Sequence, residues 1–525
     1  MKVFSERTSG QAGSTRWFGF SGGWLTFWIT VSGSLPQVAC MIVTDPSSDP
    51  RSPAQLIGVF SGVAITEDYL TVHGLYGRGK TELLSIITPI YAVGCFVGAV
   101  VALSVGEQLG RKKSVILGSV VMSVGAILQI TSFSAPHMLV GRVVSGVGNG
   151  INTATAPVWQ TETSQAKWRG KLVVLEMMMN IFGFMLVNWI NYGMSSVAGP
   201  VAWRLPLALQ SVFLLVLFAT VPWLPESPRW LIAHGRADEA TTILADLENK
   251  SVDDPYVIAA RDEIVYSVQY ERENAVRWRD LLRGRGDGGT KTVRRLLLGI
   301  GSQAMQQFGG INIMSYYLPT LLIESVGLTD SMARLIAALS SVSYLAASGI
   351  AAPLVERYGR RPMIIVSTAI QFFCFLMITI LLYHSSGKPG YAGQQEAAKA
   401  SVINSLPMRT KGAAAATMSN WITNFCVVEV TPIGLQTLGW RFYIVWTVLN
   451  AAFIPVLWLF FPETADRTLE DLDIYYRENP SLIVIRDANA ISRRRPLKYV
   501  EMQERDIQNA ALHESKGTGV LEHQD

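Results

Sequence analysis

The chain has 525 residues, of which 49% are hydrophobic and 16% charged, and it carries a formal net charge of +4. A soluble domain holds roughly 25% charged residues, so the composition excludes an ordinary globular protein and predicts an all-α protein that crosses a membrane many times. So small a net charge, without a contiguous basic patch, excludes nucleic acid as a partner.

About 20 mostly apolar residues make one membrane span, with inward-facing polar residues tolerated. Residues 1–23 read as a cytosolic tail without a cleavable-signal pattern: they are mostly polar and lead into a long apolar run at 24–43. A polar, proline-rich stretch follows at 44–55 (TDPSSDPRSPAQ), then a short apolar remnant at 56–65. Further runs at 84–105, 114–133, 138–158, 172–192 and 206–224 bring the first bundle, 24–224, to six spans. Residues 225–294 are charged and read as a cytosolic helical linker. Runs resume at 295–323, 331–355, 362–383, 412–436 and 440–461, a second bundle within 295–464. The polar tail, 465–525, reads as cytosolic and mostly disordered. Basic residues fit this sidedness. Arg111, Lys112, Lys113, the linker, Arg357, Arg360 and Arg361 fall on one side, whereas 134–137 and 193–202 carry no Lys or Arg.

Chemistry-bearing residues are sparse. Cys40, Cys95, Cys374 and Cys426 stand singly in apolar runs, so neither a disulfide framework nor a metal site is expected. There is no nucleophile constellation and no phosphate loop, so neither an enzyme nor a cofactor is expected. The polar exception is Gln306-Gln307-Phe308-Gly309-Gly310-Ile311-Asn312 with Tyr316-Tyr317, inside a run otherwise apolar enough for hydrocarbon. An unpartnered amide costs roughly 2–7 kcal/mol on transfer to an apolar medium, so such a span faces a bundle interior or a wet cavity. At about 100° per residue Gln306, Asn312–Ile313 and Tyr316–Tyr317 fall on or near one stripe, and Gly309-Gly310 thins the helix between them. Amides and phenols on one stripe suit a neutral polyhydroxylated ligand; helix–helix adhesion is the alternative.

The two bundles repeat each other. Gly110-Arg111-Lys112 recurs as Gly359-Arg360-Arg361, Trp203-Arg204 as Trp440-Arg441, Pro225-Glu226-Ser227 as Pro462-Glu463-Thr464, and Arg169-Gly170-Lys171 as Arg409-Thr410-Lys411-Gly412. A duplicated six-span bundle is the parallel-repeat plan of transporters. The second copy is one span short. Between 384 and 409 nothing resembles a span, and Val402 stands where the first copy has Glu162. The expected total is therefore eleven spans with the tenth missing.

Five motifs, GRVVSGVGNG (141–150), PESPRWL (225–231), QQFGGIN (306–312), ERYGRRP (356–362) and PETADRTLEDLD (462–473), resemble the sugar-porter family of the major facilitator superfamily. The likeness is to its fungal hexose and lactose-permease-like members, over about residues 22–472. It implies a two-bundle, monomeric, plasma-membrane transporter moving a hexose or small disaccharide with a proton by alternating access. A polyol or quinate is the alternative substrate, and a sugar sensor or transport-inactive paralogue the rival function. Sugar contacts are implied at Gln306, Gln307, Asn312 and Tyr317, and at Asn420, Trp421 and Asn424. A cytoplasmic charge network is implied at Arg111, Glu162, Arg169, Glu226 and Arg229, and at Glu356, Arg360, Arg409 and Glu463. It would latch one state of the transporter; plain positive-inside anchoring is the alternative. Proton coupling is implied at Arg142, the partner of a first-span acid. That acid's FGYD-x-G motif is absent here, and Asp45 and Asp49 in the replacing stretch are not assigned its role. Glu176 stands where the family often has a sugar-binding Gln, and reads equally as a ligand contact, a second titrating site or a helix-end residue. The family's sugar-stacking tenth-span Trp has no counterpart.

Overall fold

In a computed structural model of the chain, the described residues are chiefly 22–43, 67–73, 90–165, 169–194, 199–273, 292–310, 329–385, 418–427, 441–464 and parts of 471–505. All regular structure among them is helical, and a helix stands at each of the eleven expected runs. Six of these helices are long and apolar enough to cross a membrane by length and composition alone. The stretches 44–66 and 386–417, which hold the replaced motif and the missing tenth span, lie outside the described residues.

The first bundle begins with α1 (Gly22–Val43), which continues through Pro36. Its apolar face buries Leu25, Ile29 and Leu35 in a cluster with Ala156, Trp159, Leu217 and Val221. Its polar face is satisfied locally: Thr30 Oγ1 donates to the Thr26 carbonyl (2.9 Å) and Ser34 Oγ to the Thr30 carbonyl (2.6 Å). The short helix α2 (Glu67–Val72) precedes α3 (Ile90–Leu109), α4 (Arg111–Ile130), α5 (Ala135–Thr163), α6 (Arg169–Met194) and α7 (Val201–Thr220). α1 packs on α5, α6 and α7, so the 24–43 run closes the bundle despite the altered sequence that follows it. α5 is 29 residues long and polar for a span, and its Arg142, Asn149 and Asn152 are fully buried. That places the cost of polarity inside the bundle rather than in lipid.

α2 is pinned at the end of the bundle opposite the linker. Tyr69, Ile87, Met138, Trp203 and Leu207 form a buried cluster there, and Trp203 Nε1 donates to Asp68 Oδ2 (2.9 Å). His73, 6% exposed, donates from Nδ1 to the Tyr69 carbonyl (2.8 Å), while its Nε2 meets Ser132 Oγ at 3.0 Å. Burial, then the nearby Arg204 and His137, lowers the His73 pKa below its ordinary 6.5, against the pull of the Tyr69 carbonyl and Asp68. The unfolded chain then binds more protons than the folded one, so stability is complete above about 6.5 and falls as pH drops below it. In melts of the purified protein between pH 7.5 and 5, His73→Phe is expected to lose less of its midpoint on acidification than the parent. Parallel pH profiles would refute this.

The linker holds α8 (Pro228–Ala233), α9 (Ala237–Glu248) and α10 (Pro255–Glu273). Ser227 caps α8 by accepting from Trp230 N (3.2 Å), and Trp230 Nε1 donates to the Glu107 carbonyl (2.7 Å), which ties the linker to the base of α3.

The second bundle contains α11 (Thr292–Phe308), α12 (Asp330–Tyr358), α13 (Arg360–Ser385), a helical segment at 418–427, and α14 (Phe442–Phe460). α13 packs on α14, and α12 crosses to α6 of the first bundle, where Met178 lies against Gly349. Two expectations need correction. The tail is ordered in part: Tyr475, Tyr476, Val484 and Ala490 make a buried cluster, Arg495 pairs with Asp471 through two bonds of 2.8 Å, and Arg294 Nη2 donates to the Ser481 carbonyl (2.8 Å). Tyrosines spaced through a charged sequence bury against the arginines that open α11, with Arg295 5.1 Å over the Tyr476 ring, a contact that composition averages hide. The second correction is that α11 does not run on through the glycine pair, as described next.

Candidate functional site

α11 ends at Phe308 and Gly309-Gly310 form a turn, with Gly310 at φ +89°. That left-handed conformation favours glycine, and a Cβ there would lie 2.6 Å from Phe375 Cζ. The break frees the Gly309 carbonyl in the bundle interior, where it must find a partner. It accepts from Gln371 Nε2 of α13 (2.6 Å) and Asn450 Nδ2 of α14 (3.1 Å). Gln371 and Asn450 were not singled out from the sequence, although each is a lone amide in an apolar run, and such residues mark sites or supports.

Two residues before the glycine turn, Gln307 is 5% exposed and meets the 418–427 helix: Gln307 Nε2 donates to Asn420 Oδ1 (2.5 Å), and Asn424 Nδ2 donates to Gln307 Oε1 (3.4 Å). Ser419 Oγ also donates to the Ile300 carbonyl (3.2 Å), so the two helices are bonded along a seam of amides. Gln306 is half-buried. Of the expected contacts the structure therefore joins Gln307, Asn420 and Asn424, while Asn312 and Tyr317 lie outside the described residues. Trp421, next on the same helix, turns to the other bundle: its indole Nε1 lies 3.4 Å from Thr153 Oγ1 of α5, and its ring meets Tyr91 of α3 edge-on at 6.3 Å. The amide cluster can donate and accept hydrogen bonds toward a hydroxylated ligand, with an indole face beside it.

Arg142 is fully buried in α5, near enough to Tyr69 of α2 for its charge to oppose the burial that raises the Tyr69 hydroxyl pKa. Glu176 is 2% exposed about two turns into α6, so it is a buried carboxyl rather than a helix-end residue.

The charged motifs form matched devices. Arg111 grips Glu162 with two bonds, Nε–Oε2 at 2.9 Å and Nη2–Oε1 at 3.0 Å, and Ser227 Oγ donates to Glu162 Oε2 (2.6 Å). Arg229 is buried nearby and its charge acts on Glu162. Both side chains of the Arg111–Glu162 pair are at most 6% exposed, and removing one partner of such a pair costs about 3–5 kcal/mol. Glu226 covers the start of α4: its Oε1 accepts from the backbone of Arg111 (3.0 Å), Lys112 (3.2 Å) and Ser227 (3.0 Å). Burial pushes its carboxyl pKa up, and those N–H groups, with the Arg111 charge, oppose the shift. Glu463 does the same for α13, accepting from the backbone of Arg360 (3.0 Å), Arg361 (3.1 Å) and Thr464 (2.9 Å). Gly110 and Gly359, at φ +86° and +89°, make the same turn before each helix. Lys112 Nζ donates to the Pro222 carbonyl and Arg361 Nη2 to the Trp458 carbonyl, both at 2.6 Å. Carboxylates at helix N-termini complement the exposed N–H groups and the helix dipole. Among the described residues these bonds stay within one copy of the repeat. Arg409 and the side chains of Arg169 and Glu356 lie outside them.

A family model described as "Sugar (and other) transporter" matches residues 56–403 and 399–476, two stretches that meet where the repeat spacing breaks. The chain is 58% identical to the MFS-type transporter oryC of Aspergillus oryzae, over 97% of this chain and 96% of that protein. It is 33% identical to the sugar transporter STL1 of Saccharomyces cerevisiae, over 77% of this chain and 74% of that one. Among solved structures, the proton:xylose symporter XylE of E. coli bound to 6-bromo-6-deoxy-D-glucose matches with a TM-score of 0.71 at 20% identity, over 87% of this chain and all of that one. That last likeness bears on the fold alone.

Proposed function

The chain belongs to the sugar (and other) transporter family of the major facilitator superfamily, and on that premise we propose that it carries a hexose or small disaccharide across the plasma membrane together with a proton. It is a multi-pass membrane protein of a transporter family, not an enzyme. The observation that carries the substrate reading is the buried amide seam of Gln307, Asn420 and Asn424 at the break after α11. Each amide both donates and accepts, which matches sugar hydroxyls and offers no fixed charge to an ion. Asn312, Tyr317 and Gln306 extend the contact in this reading.

Transport then follows from population shift: the sugar binds the amide seam, the bundles rock about it, and binding energy biases the closed arrangement. The carboxylate caps Glu226 and Glu463 and the Arg111–Glu162 pair keep the ends of α4, α5 and α13 fixed while the bundles move. A latch that breaks between states must cross the bundles, so in this reading it falls to Arg169, Glu356 and Arg409 reaching these fixed helix ends. Arg142, buried in α5, is the charge toward which a proton-carrying acid would be poised. Glu176, two turns from the linker-side end of α6 and so far along the bundle from Arg142, is a second titrating site in this reading rather than the partner acid. Uptake of labelled glucose by a yeast host without its own hexose carriers tests this: accumulation that collapses with a protonophore is expected. Uptake indifferent to the protonophore would remove the proton from the account, and binding without uptake would favour a sensor.

A further inference from the structure

We propose that Thr153 is a positioning residue for transport: it anchors Trp421 across the seam between the bundles, so that the helix carrying Asn420 and Asn424 closes against the first bundle through one specific tie. The Thr153 hydroxyl donates back to the Asn149 carbonyl of its own helix (3.0 Å), which leaves its oxygen free to accept from the Trp421 indole N–H at 3.4 Å. The indole is held in that orientation by its surroundings. Its ring meets the Tyr91 ring at 82° and packs on the cluster of Tyr91, Cys95, Met122 and Leu214, flanked by Phe213 and Phe218. Tyr91 is 3% exposed and Cys95 fully buried, so the tie covers a closed surface of the first bundle.

Asn420 and Trp421 are neighbours and therefore point about 100° apart on their helix. One side chain bonds Gln307 of the second bundle, and the other reaches the first bundle. Any shift of this helix at the amide seam moves the tie as well. A bundle that must separate from its partner in part of the cycle has to break this contact, so its strength sets the balance between arrangements. The proposal rests on the sugar reading only for its substrate arm; the tie itself stands on the contacts.

Cys95, whose thiol accepts from Asn149 Nδ2 of α5 (3.6 Å), belongs to the cluster that Trp421 covers, so its alkylation by N-ethylmaleimide in membranes holding the full chain, resolved by peptide mass, rises when that cover lifts. Thr153→Val keeps the shape and removes the acceptor, and Trp421→Phe keeps an aromatic ring and removes the donor. Each is expected to speed Cys95 modification by about 2- to 3-fold, the low end for one net hydrogen bond, as suits a contact of 3.4 Å. The double variant should be no faster than the faster single one, because both break the same contact, and Thr153→Ser should restore the parental rate. A parental rate in Thr153→Val, or a double variant whose rate is the product of the singles, would overturn the tie. If Thr153→Val does not reach the membrane, Thr153→Ala takes its place with the same two readings. Glucose slowing the alkylation supports the amide seam as the sugar site; no effect of glucose, with the variant pattern intact, counts against that reading alone.

Discussion

Gly98→Ala and Gly150→Ala are each expected to prevent the first bundle from packing, with protein lost from the membrane and no cooperative melt in what remains. A Cβ at Gly98 would sit 2.1 Å from the Val147 carbonyl oxygen, and one at Gly150 2.0 Å from that of Cys95. Gly94 and Gly146 make the next rung, 2.5 Å from the Val143 oxygen and 2.4 Å from the Tyr91 oxygen. In each helix the two glycines are four residues apart, so α3 and α5 meet backbone to backbone along one stripe, as small-xxx-small pairs allow. The opposing atoms are carbonyls in helical backbone, which cannot rotate away as a side-chain end can. Overpacking a core costs about 1–3 kcal/mol even where neighbours give, and here the helices themselves must part. Gly301→Ala in α11 is the control: its Cβ meets nothing within 4 Å, and replacing a mid-helix glycine should add about 0.5–1 kcal/mol. Thermal melts of the three variants decide the matter, and a parental midpoint in Gly150→Ala would refute the packing argument.

The second large effect concerns the site. Gln307→Ala is expected to lower kcat/KM for sugar by about 10- to 100-fold, a range that corresponds to about 1.4–2.8 kcal/mol. Gln307 is the shared member of the seam, bonded to both Asn420 and Asn424, so its loss unpairs two further amides. A site built to hydrogen-bond hydroxyls loses most when its buried polar groups are left without partners. Asn424→Ala should cost less than Asn420→Ala, because the Asn424 bond is 3.4 Å long and the Asn420 bond 2.5 Å.

Much of this architecture was legible in the residues. Apolar runs located eleven helices because hydrocarbon demands length and apolarity together. The paired Pro-Glu motifs, 225–226 and 462–463, predicted matched roles, and Glu226 and Glu463 do cap matched helices through the same backbone donors. The polar stretch at 306–312 marks a candidate site, but not the course of its helix. A continuous helix would put Gln306 with Ile313 and Tyr317 on one stripe, but Gly310 takes a left-handed turn, the helix stops at Phe308, and Gln307 is the residue bonded to the 418–427 helix. Periodicity cannot report where a glycine pair breaks a helix, since that depends on Gln371 and Asn450 arriving from other helices to hold the freed carbonyl. The buried His73–Trp203 corner and the folded part of the tail were missed for a related reason: each is a few residues long and stable only against a distant partner, such as Asp68 for Trp203 or Arg294 for the Ser481 carbonyl. Glu176 could not be assigned a depth from its run, because helix starts are uncertain by a residue or two; α6 begins at Arg169, and that buries it.

The central claim is that the amide seam of the second bundle holds a sugar that the chain then moves. Counterflow in proteoliposomes tests it most directly, with the purified full chain in vesicles preloaded with unlabelled glucose and labelled glucose added outside. The account predicts rapid transient accumulation by the parent and at least a tenfold slower exchange by Gln307→Ala at equal reconstituted protein. Exchange by Gln307→Ala at the parental rate, or no exchange by a folded parent, would contradict it.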